Sequence, residues 1–495
     1  MLNQNQTPLI DALKACITRD HAPFYTPGHK HGMGISSILV DLLGKNVFRA
    51  DLTELAELDH LFAPEGVILA AQELAAAAFG AEKTWFLVNG STCGIEAAIL
   101  ATCRMGDKII LPRNVHSSVI SGLILSGAMP IFVEPEYDEI LDIAHSITPA
   151  GVQAALEKHP DAKAVLTVYP TYYGVCGDLE AIAQITHQYH IPLLVDEAHG
   201  AHFHFHPDLP TPALVAGADL TVQSIHKTLG AMTQASMLHA QGNRIDFDRV
   251  SKALQLVQST SPSYVLLASL DAARQQVAVY GESLMSQTLQ LAQQAQEKIN
   301  QIPQISTPLF TQPPSPGFLT LDPTRLTVNV ADLGLTGFAA EEILDEQFGV
   351  TPEFASMFNL TFIISLGNTQ SDINKLVQSL ENLARIPQIE GYKIPHLTSQ
   401  YKKCKYKNDA IITQIMAISP REAFFANSET LALEKTVNRI CVEIVCPYPP
   451  GIPVLMPGEI ITKSALEYLR QVQAVGGFIS GCKDSSLETL KVVKA

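Results

Sequence analysis

An α/β fold built on a mainly parallel sheet is what this 495-residue sequence predicts. Three observations carry that expectation. Short apolar runs alternate with helix-like stretches from residue 67 to about 230. Turns rich in Gly, Ser, Thr or Pro follow the apolar runs. Residues capable of chemistry sit just past those runs. Alternation of strand and helix implies parallel strands with helices on both faces. In such sheets ligands gather beyond the carboxyl ends of the strands.

Taken in order, residues 1–20 predict a short amphipathic helix, with Leu9, Ile10, Leu13 and Ile17 at helical spacing. Phe24-Tyr25-Thr26-Pro27-Gly28-His29-Lys30 is turn-rich: a surface loop, or an arm reaching a site or a partner subunit. An Ala-rich helix over 67–80 leads to a strand over Thr84–Val88. Asn89-Gly90-Ser91-Thr92-Cys93-Gly94 then enters a helix over Ile95–Cys103. Strands follow over Lys108–Leu111, Pro130–Val133, Ala164–Val168 and Pro192–Val195, and a strand over Ala218–Val222 precedes Ser224-Ile225-His226-Lys227. Between them lie helices ending at Ser126, over 148–158, and over Leu179–Tyr189. A long helix covers about 264–302, and the five prolines of Pro303–Pro316 read as a linker. A smaller α/β unit follows, with strands over Leu326–Val330 and Leu360–Ser365 and helices over Ala339–Phe348 and Ser371–Leu383. The basic, polar stretch Pro395–Asn408 marks a second boundary. A strand over Ile440–Val445 leads into a proline-rich extended loop, Pro447 to Glu459, a candidate site wall. The expected organisation is an arm (1–50), a large domain (51–302), a small α/β domain (318–393) and a C-terminal domain (409–495).

A formal net charge of −16 argues against a nucleic-acid surface, while a negative field attracts small cations. No secretory signal is evident and no apolar run approaches the ~20 residues of a membrane helix. The eight cysteines show no CxxC pair and no zinc spacing, which reads as reduced thiols in a cytoplasmic protein. His202, His204 and His206 would share one face of a strand, but no carboxylate or Cys cluster accompanies them. The structural reading is preferred and no metal is expected.

Four strand ends carry the chemistry. Lys227 taken alone is a solvated surface lysine. It is also the residue type that forms a Schiff base with pyridoxal phosphate. Asp196 would pair with a protonated pyridine nitrogen, and the ring of His116 could stack on the cofactor face. A Gly-Ser-Thr helix start at Ser91 and Thr92 offers hydroxyls, free N–H groups and the positive end of a helix dipole to a phosphate. Ser224 and His226 add hydrogen-bonding groups. Each has a plain alternative: a helix cap for Ser91, Thr92 or His116, a solvated strand end for Asp196, a satisfied polar side chain for His226. Jointly, in this order on an alternating sheet, a pyridoxal phosphate site explains them better.

These stretches resemble the bacterial Orn/Lys/Arg decarboxylases, pyridoxal-dependent enzymes of fold type I. The landmarks are Phe24 to Lys30, Asp51 to Asp59, Asn89 to Thr92, Arg113 to His116, Asp196 to Gly200, Gln223 to Lys227 with Gln234 to Met237, and Pro447 to Glu459. The resemblance implies an aspartate-aminotransferase-like large domain and decarboxylation of arginine or lysine, with ornithine behind, in polyamine or diamine metabolism. It implies that Lys227 anchors the cofactor covalently, Asp196 binds the ring nitrogen, and His116 stacks on the ring. Ser91, Thr92 and Ser224 would hold the phosphate, with His199 near the cofactor. His226 or Lys227 would return a proton to Cα. Glu459 would recognise the distal cation of the substrate. Thr260 and Ser261 would approach the phosphate from a neighbouring subunit. The larger members carry an N-terminal wing domain, whereas here the arm begins almost at Met1, so a homodimer or modest assembly of dimers is expected. An aminotransferase, a lyase, or a non-catalytic relative that regulates a decarboxylase are the competing readings.

Overall fold

The structure, a computed structural model, describes residues 2–386, 415–448 and 451–494. It comprises two compact units, Met1–Ala101 with Leu194–Ser286, and Thr102–Leu193 with Gln287–Ala495.

In the first unit four strands run in the order Lys83–Leu87, Ser236–Ala240, Leu220–Gln223, Leu193–Asp196. The first two junctions are antiparallel and the last is parallel, with Asp196 beside Val222. Every strand residue except Lys83 is buried. That includes Thr84, Thr221, Gln223 and His239, polar groups that burial obliges to find partners. The helix Gly90–Thr102 lies close on this sheet: a Cβ at Gly94 would sit 2.7 Å from both Leu87 and Val222 side-chain carbons. Only glycine allows that approach.

The N-terminal helix Pro8–Thr18 is fastened by a buried pair on the long helix Tyr264–Ile299. Asp271 Oδ2 accepts from Leu9 N (3.1 Å) and Ile10 N (3.4 Å) at the positive end of the short helix. Arg274 donates to Asp271, to Gln4 O (2.8 Å) and to Gln6 O (2.6 Å). Another carboxylate starts the helix Val67–Phe79, whose own N-cap is Gly66 and has no capping side chain. Asp59 Oδ1 accepts from His60 N and Glu65 N, and Oδ2 from Gly66 N and Ile68 N, all within 3.1 Å.

The second unit contains parallel strands in the order Ala164–Val168, Lys108–Pro112, Met129–Val133. Helices Ser117–Ser126, Pro149–Lys158 and Leu179–Gln188 start at side-chain caps from His116, Thr148 and Asp178. A smaller antiparallel sheet follows, in the order Arg325–Asn329, Asn359–Ile363, Phe354–Ala355. Helices Gly337–Phe348 and Gln370–Arg385 close its core through Ile343, Leu344, Leu376 and Leu380. A last core gathers Cys441, Val445, Leu455, Leu466, Leu469 and Leu490 around the helix Lys463–Ala474.

Several expectations need correction. The three histidines do not form a strand: Phe203–Phe205 is a 3-10 turn that buries both Phe side chains, with His202 buried and His204 exposed. Phe205 meets Phe79 edge-on at 5.0 Å, so burial of aromatics decides that segment. Among the described residues no cluster suited to a metal occurs. Pro303–Pro316 is not a free linker: Ile305 and Leu309 are buried, Ser306 bridges to Asn329, and Pro308–Thr311 is a 3-10 turn. Ile440–Val445 forms isolated bridges at Ile440, Cys441 and Val445 rather than a strand. The helix expected from Ile95 begins at Gly90, so Ser91 and Thr92 lie in its first turn instead of capping it. Pro395–Asn408 lies outside the described residues.

Burial alone would raise the Asp59 carboxyl pKa, but the backbone N–H donors outweigh it and hold the group below its ordinary value. A lowered folded-state pKa gives stability that is present above the unfolded value of about 3.9 and is lost as pH falls through the folded one. Asp59→Ala is therefore expected to cost ~1–2 kcal/mol at neutral pH. The difference from the parent should shrink as the pH falls below about 4. Denaturant melts across pH 3–7 check this; an equal loss at every pH in that range would contradict it.

Candidate active site

The first unit brings most of the expected residues together. Asp196 closes the strand Leu193–Asp196, is buried, and accepts at Oδ1 from Ala198 N (3.2 Å). The neighbouring parallel strand ends at Gln223 and turns through Ser224 into the short helix Ile225–Thr228, which carries Lys227. Lys227 is half-buried, and its Nζ lies 3.0 Å from His199 Nε2. A lysine donating there requires His199 to carry its own proton on Nδ1. His226 is turned by its backbone and ring: N and Nδ1 both meet Ala235 O, at 3.2 and 3.0 Å. A carbonyl only accepts, so Nδ1 holds a proton.

Ser224 is fully buried and its Oγ donates to Ser91 Oγ at 2.8 Å. Gly90, at φ +77°, turns the chain from strand into helix and places Ser91 and Thr92 in the first turn. Backbone N–H groups of a first turn have no intrahelical acceptor, which makes this an anion-suited end. The loop bearing Thr260 and Ser261 is tied to the same turn, Val88 N donating to Gln258 Oε1 (2.9 Å) and Ser259 N to Asn89 Oδ1 (3.4 Å). Thr260 and Ser261 themselves are exposed.

Two expected residues belong to the second unit. His116 caps its helix, Nδ1 accepting from Ser118 N at 3.2 Å, so the structural alternative for this residue also holds. Glu459 is fully buried. Its Oε2 accepts from Arg113 Nη2 (3.2 Å) and Met456 N (2.9 Å). Arg113, three residues before His116, also donates to Pro453 O (2.7 Å) and Val454 O (3.0 Å). Desolvation pushes the Glu459 pKa up, opposed by the Arg113 charge.

Sequence reasoning missed Arg113 as a partner of Glu459, 346 positions away in sequence. It also passed over Glu197, next to Asp196. Glu197 is fully buried and hydrogen-bonded to Ala213, Thr221 and Gln223. The available signal was the acidic pair itself. Successive residues leaving a strand point to opposite sides, so only one of the two can face a ligand.

The Orn/Lys/Arg decarboxylase major-domain model matches residues 7–372, and the C-terminal-domain model of that family matches residues 402–483. An arginine decarboxylase of Bacillus anthracis is 41% identical over 493 residues, covering 100% of this chain and 98% of the relative. One from Bacillus subtilis is 40% identical, with 100% and 99% covered. The constitutive lysine decarboxylase of Escherichia coli is 24% identical over 96% of this chain and 78% of its own length. Among solved structures, lysine decarboxylase A from Pseudomonas aeruginosa superposes with a TM-score of 0.85 at 23% identity, over 98% of this chain and 80% of that one. An alanine–glyoxylate aminotransferase from Nostoc shares the fold more loosely, with a TM-score of 0.51 at 17% identity over 64% of this chain and 86% of that one. The fold is thus the fold-type I α/β architecture. Matched by both family models and by full-length relatives at about 40% identity, this chain belongs to the Orn/Lys/Arg decarboxylase family.

Proposed function

We propose that this chain decarboxylates L-arginine with pyridoxal 5′-phosphate as cofactor. The observation that carries the reading is Lys227. Its amine is held 3.0 Å from an imidazole nitrogen, on the short helix that follows the strand next to the one that ends in a buried carboxylate. The donor set fits the cofactor. The Ser91 and Ser224 hydroxyls, with the first-turn N–H groups, suit a phosphate. Lys227 suits an aldehyde, and Asp196 suits a protonated pyridine nitrogen. Thr92, in the same first turn, would add a hydroxyl.

When bound, pyridoxal phosphate supplies an electron sink for the pair left on Cα as carbon dioxide departs. The chain's own residues do the rest. Lys227 would hold the cofactor's aldehyde as a neutral amine, and His199 Nε2, 3.0 Å away, is placed to take its proton. Asp196 would hold the proton of the ring nitrogen. His226, with Nδ1 committed to Ala235, presents Nε2 to return a proton to Cα, and Lys227 Nζ is the second group able to do so. His116 is assigned the ring face by its place in the Arg113 to His116 motif, its imidazole being oriented by Ser118. For Glu459, Oε2 is engaged, and Oε1 finds no partner among the described residues. Recognition of a cationic substrate end is assigned to Glu459 by its place in the Pro447 to Glu459 motif.

Arginine is preferred to lysine because relatives at 40–41% identity over their full length are named arginine decarboxylases, while those named lysine decarboxylases stand at 24–25%. A net charge of −16 suits a cationic substrate. Polyamine supply in the cytoplasm is the setting that fits an arginine decarboxylase. The described cysteines are free thiols, and no described helix is long and apolar enough to cross a membrane. A homodimer, or an assembly of dimers, would cover the apolar surface on helix Ser37–Leu43, which buries no residue and leaves Ile38 80% and Leu42 76% exposed. It would also give exposed Thr260 and Ser261 a neighbour.

Lys227→Ala is expected to abolish turnover and the visible absorbance of the bound cofactor. Asp196→Ala is expected to fold and to lower kcat by roughly 10²–10⁴-fold, the range for a group that holds a proton in place. Steady-state kinetics and absorbance spectra check both; near-parental turnover in either would overturn the role assigned. With arginine, lysine and ornithine supplied in parallel, chromatography of the amines is expected to show the arginine product dominant. Dominant lysine product would move the substrate, and a keto acid without carbon dioxide release would overturn the reaction class.

A further inference from the structure

The fully buried Glu197 is used by none of the steps above. Its Oε1 accepts from Ala213 N (2.8 Å), and its Oε2 from Thr221 Oγ1 (3.0 Å) and Gln223 Nε2 (2.8 Å). Gln223 Oε1 meets His239 Nε2 at 3.2 Å, and His239 Nδ1 meets Thr84 Oγ1 at 2.7 Å. Thr84, His239 and Thr221 are direct cross-strand partners, so the chain of bonds runs across three strands on one face of the sheet. Phe79 stacks on His239 at 4.7 Å and seals that end.

The bond directions are self-consistent. An amide whose NH2 faces a carboxylate presents its oxygen to His239, which then donates from Nε2 and accepts at Nδ1 from Thr84. Desolvation lowers the His239 pKa to about 3, which keeps the ring neutral as this pattern requires. All donors converge on one acceptor, Glu197.

The location gives the ladder a purpose. Glu197 follows Asp196 directly, and Gln223 directly precedes Ser224, which leads to Lys227. The Glu197–Gln223 bond therefore joins the ends of the two parallel strands that carry the carboxylate, the phosphate hydroxyl and the amine. We propose that Glu197 is a positioning residue. It anchors a buried ladder through Gln223, His239 and Thr84, and this fixes Asp196 relative to Ser224 and Lys227 for cofactor binding. The inference rests on the proposed pyridoxal phosphate site.

The ladder also predicts which replacement is tolerated. Gln at 197 can keep an oxygen toward Ala213 N. Its NH2 would then face Gln223, whose amide turns over, and His239 moves its proton to Nδ1. Each side chain of the ladder keeps a hydrogen bond, with Thr221 and Thr84 now accepting instead of donating. Met at 197 has similar volume and no acceptor, so it leaves three buried donors unpaired.

The test uses the full chain stripped of cofactor and reconstituted with pyridoxal 5′-phosphate, read by absorbance, with melting of the stripped protein measured alongside. Glu197→Met is expected to raise the cofactor Kd about tenfold or more and to shift the absorbance maximum. Glu197→Gln is expected to stay within about threefold of the parent. Thr221→Val, which removes one donor at constant volume, keeps the test open if Glu197→Met does not fold; its Kd is expected to rise by about threefold or more. Lower melting with unchanged Kd and spectrum in the folded variants would reduce Glu197 to a structural role and overturn the proposal, as would a Glu197→Gln protein as impaired as Glu197→Met. A parent that binds no pyridoxal phosphate would instead sink the proposed function itself.

Discussion

A half-buried lysine amine 3.0 Å from an imidazole nitrogen sets the terms for this molecule. A neutral amine beside a base is ready to form an imine. The fold meets this demand with strand ends. One strand delivers Asp196, and its parallel neighbour delivers Ser224 and, one turn later, Lys227. The close-packed helix at Gly94 brings Ser91 against Ser224. Parallel pairing makes this possible, since neighbouring strands then finish on the same side.

The cost of building a polar site on buried strands is that polar groups enter the core and must be paired there. The buried residues Thr84, Thr221, Gln223 and His239 are paired through Glu197. In the second unit the same logic joins Arg113 to Glu459 and to the carbonyls of Pro453 and Val454. Removing one member of such a buried pair costs about 3–5 kcal/mol, because the other is left charged in a dry environment. Arg113 thereby fastens the C-terminal loop to the turn that ends in His116.

Much of this was legible in the sequence. The strands at Lys108, Ala164 and Leu220 and the helices between them follow from apolar run length and punctuation, which are local signals. The grouping of Asp196, Ser224 and Lys227 follows from the rule that parallel strands present their carboxyl ends together. What stayed hidden was set by contacts distant in sequence. Nothing near Glu459 announces Arg113, and nothing near Glu197 announces Thr221. The His202 to His206 alternation looks like a strand, but Phe203 and Phe205 are both buried on a one-turn helix, Phe205 against Phe79. The prolines of Pro303–Pro316 suggest a free linker, yet Ile305 and Leu309 reach a core that only the folded chain provides.

The central claim is that Lys227 is the covalent anchor of the cofactor. Borohydride reduction of the pyridoxal-loaded protein, followed by peptide mass spectrometry, tests it directly. The account predicts a single reduced pyridoxyl adduct on the peptide containing Ser224, Ile225, His226 and Lys227, located at Lys227. An adduct on another lysine, or none in a protein that turns over arginine, would contradict it.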